Sequence, residues 1–115
     1  MTADQITRIV DNALNELKAM DIRVLDVSRL TTITDTMIIA SGTSDRQVRA
    51  LADNVIKRAK ENGLRPLGLE GEKEAEWVLV DLGDVIVHIM RPAARAYYQL
   101  EKLWASEHQQ ASTTV

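Results

Sequence analysis

From Glu76 to Met90 the chain reads E-W-V-L-V-D-L, then Gly83-Asp84, then V-I-V-H-I-M. Two apolar runs of strand length around a two-residue Gly-Asp turn leave little room for anything but an antiparallel hairpin. If Leu82 pairs with Val85, period-two alternation assigns every side chain to a face. One face carries Val78, Val80, Leu82, Val85, Val87 and Ile89, an aliphatic surface suited to a core. The other pairs Trp77 with Met90, Leu79 with His88 and Asp81 with Ile86. That second face is apolar yet chemically mixed, whereas a sheet covered by helices on both sides is more uniformly aliphatic. Part of it is therefore expected to meet solvent or a partner.

The rest of the chain supplies what such a hairpin needs. Ile6, Ile9, Val10, Ala13, Leu14, Leu17 and Met20 recur at spacings of three and four, one stripe of an amphipathic helix, and Thr2 with Gln5 forms a capping box at its start. A second stripe runs through Val48, Leu51, Ala52, Val55, Ile56 and Ala59, opened by Ser44-Asp45-Arg46-Gln47 and closed by Asn62-Gly63. A third helix is expected from Pro92 to about Trp104. On it Ala93, Ala96, Tyr97, Leu100, Leu103 and Trp104 form a broad apolar stripe, with Tyr98, Arg95 and Lys102 on the opposite side. Residues 22 to 27 and 36 to 41 read as strands, and Pro66 to Leu69 as a weaker edge strand. The fold class is α/β, a single mixed β-sheet of four or five strands with three main helices. Residues 1 to 104 form one domain and residues 105 to 115 a polar tail expected to be disordered.

Composition narrows the function. A chain of 115 residues with net charge −3 is neither a multi-domain machine nor a nucleic-acid binder working through bulk positive charge. The absence of cysteine excludes disulfides, thiolate catalysis and thiolate metal sites. Without a basic-then-apolar start or an apolar run of membrane length, a cytoplasmic protein is expected. Charge is segregated: residues 43 to 65 hold six basic against three acidic side chains. Residues 70 to 84 hold Glu70, Glu72, Glu74, Glu76, Asp81 and Asp84 against Lys73 alone. The acidic patch surrounds Trp77 and suits a basic partner. Tyr98 reads either as a lone exposed aromatic or as an interface anchor; all four aromatics lie between positions 77 and 104, which favours the second.

Catalytic signals are thin. Gly42-Thr43-Ser44 ends a strand and opens a helix, a geometry that can bind phosphate, but it lacks the spacing of a P-loop or dinucleotide fingerprint and capping alone explains Ser44. A nucleotidyltransferase would need a close carboxylate pair for metal ions. Asp35, Asp81 and Asp84 are candidates, yet no D-x-D follows Gly42. His88 in a strand and His108 in the tail make no metal site; His88 is expected to hydrogen-bond a neighbour or to join a contact surface. Two rivals remain open: a small nucleotidyltransferase, and an RNA-binding module using the basic helix from Arg46 to Arg65.

Four segments together carry a family likeness: D-T-M-I-I-A-S-G-T-S at 35–44, P-L-G-L-E-G at 66–71, W-V-L-V-D-L-G-D-V-I-V-H at 77–88 and R-A-Y-Y-Q-L-E-K-L-W at 95–104. In order and spacing, over residues 3 to 104, the chain resembles the ribosomal silencing factor family, related to the plant Iojap protein. The resemblance implies a cytoplasmic non-enzyme without cofactors and with a nucleotidyltransferase-like fold. It implies binding to the large ribosomal subunit through large-subunit ribosomal protein fourteen, which blocks joining of the small subunit and represses translation when nutrients are short. It also implies self-association as a possible homodimer, and neither a membrane nor a specific nucleic-acid sequence as partner. The family's contact surface falls on Trp77, Asp81, Met90, Tyr98 and Leu100, and further on Glu70, Asp84, His88 and Arg95. Leu100 conflicts with the helical wheel, which buries it. The three glycines between Gly63 and Glu76 mark that segment as the expected most mobile part.

Overall fold

The computed structural model describes residues 1–100 and 102. Its order is α1 (Ala3–Glu16), β1 (Met20–Asp26), β2 (Thr36–Ser41), α2 (Asp45–Glu61), β3 (Gly68–Glu70), β4 (Trp77–Asp81), β5 (Val85–Met90) and α3 (Pro92–Tyr98). The five strands form one mixed sheet in the order β1-β2-β5-β4-β3. Only β2 and β5 run parallel, and every residue of β2 is buried. A continuous apolar run such as T-M-I-I-A-S suits a central strand covered on both faces. The expected hairpin register is the one observed: Trp77 lies opposite Met90, Leu79 opposite His88 and Asp81 opposite Ile86. Across the turn the Leu82 amide donates to the Val85 carbonyl at 2.9 Å.

Helices α1 and α2 share one face of this sheet. Ile6, Val10, Ala13 and Leu14 from α1 join Val48, Leu51, Ala52, Val55 and Ala59 from α2 over Ile38, Val78, Val80, Val87 and Ile89. Both predicted N-caps form: Thr2 accepts from the Gln5 amide with the full box, and Ser44 accepts from the Gln47 amide. The two helices are clamped at the rim, where Arg58 meets both oxygens of Glu16 at 2.8 and 2.7 Å and Asn54 donates to the Ala13 carbonyl at 2.7 Å. The guanidinium holds the Glu16 carboxyl below its ordinary range. The α1 stripe ends sooner than its periodicity predicted. Leu17 caps the helix and is exposed, Lys18 takes a left-handed φ of 60°, and Met20 opens β1.

The third helix departs most from expectation. Ala94 and Arg95 face inward, at 5% and 6% exposure, while Tyr97 of the expected apolar stripe is 82% exposed; Ala93 and Ala96 are exposed too. Continuous winding was the wrong premise. Gln99 adopts a left-handed conformation (φ 48°) that ends α3 at Tyr98, so the wheel phase does not carry through to Leu100. The sheet fixes the phase instead, because the Arg95 guanidinium reaches Ser41 Oγ at 2.9 Å and Asp21 at 3.7 Å. Leu103, Trp104, His108 and the tail lie outside the described residues.

The glycine-rich segment before β4 is hydrogen-bonded to α2. Arg49 on α2 donates to the carbonyls of Glu72 and Lys73 at 2.9 and 2.6 Å, and Ala75 is buried. Gly71 has φ +84°, and a Cβ there would collide with the Trp77 carbonyl oxygen. Gly71→Ala is therefore expected to destabilise the protein by about 2 kcal/mol or more, since both backbone strain and a clash oppose it. Urea unfolding of the variant measures this, with Gly63→Ala as the control for strain without a clash, because nothing lies within 4 Å of a Cβ at Gly63.

Candidate partner-binding face

The second face of the sheet is covered unevenly. Strand register stacks its side chains in rows: Ser41, Met90 and Trp77; then Arg23, Ile39, His88, Leu79 and Glu70; then Leu25, Met37, Ile86, Asp81 and Gly68. Helix α3 begins two residues after β5 and covers only part of this face. Val27, Met37, Ile39, Met90 and Ala94 form a small separate core there, with Leu25, Trp77 and Leu100 packed against it. Leu79, Asp81 and Ile86 remain half-buried, and Glu70 and Asp84 are exposed.

Aromatic contacts organise the exposed end. The Trp77 ring is half-buried, with Tyr98 at 4.7 Å between centroids and 49° between planes. Tyr97 meets Tyr98 edge-on at 5.0 Å. Trp77 Nε1 donates to His88 Nδ1 at 2.9 Å. An indole nitrogen can only donate, so His88 Nδ1 must be the acceptor and a neutral imidazole carries its proton on Nε2. That Nε2 has no hydrogen-bond partner and is the one such buried side-chain atom among the described residues. Leaving a buried donor unmet costs about 1–3 kcal/mol.

The structure brings together Trp77, His88, Met90, Tyr98 and Leu100. Asp81 lies on the same face four residues along β4, about 13 Å from Trp77 at strand rise, and its Oδ1 accepts from the Gly83 amide at 2.9 Å. Asp84 and Glu70 rim the same end and edge. Burial corrects one expectation. Met90 (0%), His88 (5%) and Arg95 (6%) are enclosed in the free protein. Arg95 was expected to project outward, but its charge is engaged by Ser41 and Asp21. Leu100 is half-buried and packs against the small core. Tyr97 escaped the sequence reading, since only the helix phase set by the sheet exposes it.

The rival sites look different in three dimensions. At the start of α2, Gln47 Oε1 accepts from both the Thr43 amide and hydroxyl at 2.6 and 2.7 Å, and the Gly42 amide donates to the Met90 carbonyl at 3.1 Å. The Thr43 and Gly42 amides of this turn are thus already engaged within the protein. Arg49 and Arg58 of the basic helix are engaged within the protein. Among the described residues no three His, Asp or Glu side chains could hold a metal ion, and no helix is long and apolar enough to cross a membrane.

A mixed five-stranded sheet with two long helices on one face, and a short helix and an aromatic cluster on the other, defines a small α/β protein. Comparison with known proteins makes the class specific. The family model of the ribosomal silencing factor during starvation matches residues 1–115, and the chain belongs to that family. It is 54% identical over 92 residues to ribosomal silencing factor RsfS of Haemophilus influenzae, covering 80% of this chain and 90% of that one. A crystal structure from Chromobacterium violaceum superposes with a TM-score of 0.90 at 48% identity, covering 91% and 88% of the two chains. The chloroplastic protein Iojap of Zea mays is 37% identical over 94 residues, 82% of this chain and 41% of its own length. Its relatives' names support a ribosome-associated silencing role for this chain.

Burial holds the His88 imidazole pKa down to about 4, against an ordinary 6.5. The unfolded chain therefore takes up this proton first as pH falls. Stability contributed by neutral His88 is complete above about 6.5 and is lost progressively toward 4. Relative to His88→Asn, the wild type should lose about 2 kcal/mol between pH 7 and pH 5 in urea unfolding.

Proposed function

We propose that the Trp77–Tyr98 face binds the large ribosomal subunit at large-subunit ribosomal protein fourteen. By occupying that site it excludes the small subunit and represses translation when nutrients are short. The observation that carries this reading is the uneven cover of the second sheet face: a half-exposed Trp held against a half-exposed Tyr, with Asp81, Asp84 and Glu70 farther along the same side of the hairpin. Aromatic anchors inside a charged rim are the usual anatomy of a specific interface, and acidic rims steer a protein to basic surfaces. Trp77, Tyr98 and Tyr97 supply apolar contact, Asp81, Asp84 and Glu70 supply steering, and Met90, Leu100 and Arg95 hold the platform from beneath. Exclusion by occupancy needs no turnover, cofactor or metal, and places the protein in the cytoplasm with its ribosomes. Self-association of the free chain belongs to the same proposal.

Trp77→Ala and Tyr98→Ala should each weaken binding to isolated large subunits by about thirtyfold, roughly 2 kcal/mol, while circular dichroism confirms the fold. Both should also weaken binding to isolated ribosomal protein fourteen and fail to block subunit joining in a sedimentation assay. A folded Trp77→Ala protein that binds and blocks like wild type would sink the assignment. Charge reversal at Asp81 and Asp84 should slow association chiefly at low salt.

A further inference from the structure

His88 is the group that the contact surface leaves unexplained. It is 95% enclosed, at 5% exposure, yet it sits in the same row as Leu79 and Glu70 on the face that carries Trp77. An aliphatic residue would fill this place between Ile39 and Leu79 without leaving Nε2 unmet. What His88 supplies that an aliphatic residue lacks is an acceptor for the Trp77 indole at 2.9 Å, with the two ring centroids 5.8 Å apart. The indole is held from three directions: by this bond at its nitrogen, by Tyr98 at 4.7 Å across the ring, and by the small core under α3.

We propose that His88 is a positioning residue: it fixes the rotamer in which Trp77 is presented to the partner and does not itself touch the partner. The proposal rests on the reading of Trp77 as a binding anchor and gives that surface its preorganising element. A large side chain free to sample several rotamers loses affinity when binding immobilises it, and a ring already locked by hydrogen bond and packing does not. The bond also dictates the protonation state. An imidazolium would set an N–H on Nδ1 against the N–H of the indole, so the presented geometry belongs to the neutral ring alone.

The test separates the bond from the ribosome. In the free, 15N-labelled full chain, the indole signal of Trp77, assigned by its loss in Trp77→Phe, should be shifted downfield and exchange slowly with water. His88→Leu removes the acceptor and should move that signal upfield with fast exchange; His88→Asn, whose Oδ1 can take the place of Nδ1, should restore it. Binding to isolated large subunits should fall about tenfold in His88→Leu, the worth of one ordinary hydrogen bond, and recover to within about threefold of wild type in His88→Asn. In a Trp77→Phe background, His88→Leu should cost nothing further, because the group it acts through is gone. If His88→Leu does not fold, His88→Gln replaces it, since its longer side chain moves the acceptor away from the Nδ1 position. Equal losses in the Asn and Leu variants would mean direct partner contact and overturn the proposal, as would a freely exchanging wild-type indole or wild-type affinity in His88→Leu. Should wild type itself fail to bind large subunits, the reading of function falls while the indole signals still decide whether His88 holds Trp77.

Discussion

Everything in this molecule depends on the pairing of β2 with β5. Six residues from Thr36 to Ser41 run parallel to Val85 to Met90, and nearly all of both strands is enclosed. Parallel neighbours cannot be joined by a tight turn, so the chain between them must travel, and it does so through α2, β3 and β4. That excursion places α2 beside α1 on one face and returns the chain as the outer hairpin. With Leu14, Ile38, Leu51 and Ile89 all fully buried, the helix-packed face holds most of the apolar core. Truncating such residues to Ala costs about 2–5 kcal/mol each.

The second face follows from the same constraint. Once both long helices lie on one side, only the segment after β5 is near enough to cover the other, and α3 ends at Tyr98. Seven residues of helix cannot shield a five-stranded sheet. Trp77, Leu79, Asp81 and Ile86 are left partly open, and the small core beneath α3 is built around Met90 and Ala94, with the Arg95 guanidinium buried beside it. A buried guanidinium is tolerated because Ser41 Oγ and Asp21 meet it, which in turn fixes how α3 lies and where Tyr97 and Tyr98 point. The partly open face is thus a by-product of incomplete cover, and its exposed end is organised by aromatic contacts and by the His88–Trp77 hydrogen bond.

Much of this was legible before any coordinates. Alternation around Gly83-Asp84 determined the hairpin register residue by residue, and Ser44 with Asn62-Gly63 bounded α2. Both signals are local, set by turn chemistry and by caps that bond within a few residues. The four motif segments gave the family, and the facing of Trp77 followed from parity in the strand. The first helix was overextended to Met20 because periodicity does not register a left-handed residue such as Lys18.

What the sequence by itself determined is the set of elements, the hairpin register and the apolar face destined for the core, since these follow from short-range periodicity. Tertiary structure alone decided three matters. The phase of α3 was set by the Arg95 bonds to Ser41 and Asp21, from residues 54 and 74 positions away, which no helical wheel contains. The 71–76 loop is hydrogen-bonded through its carbonyls to Arg49 on α2. His88 was given Trp77 as its donor partner by a diagonal across two strands. The Arg95 and Arg49 contacts join residues 23 or more positions apart in the chain, and all three contacts need partners that only the assembled sheet brings together.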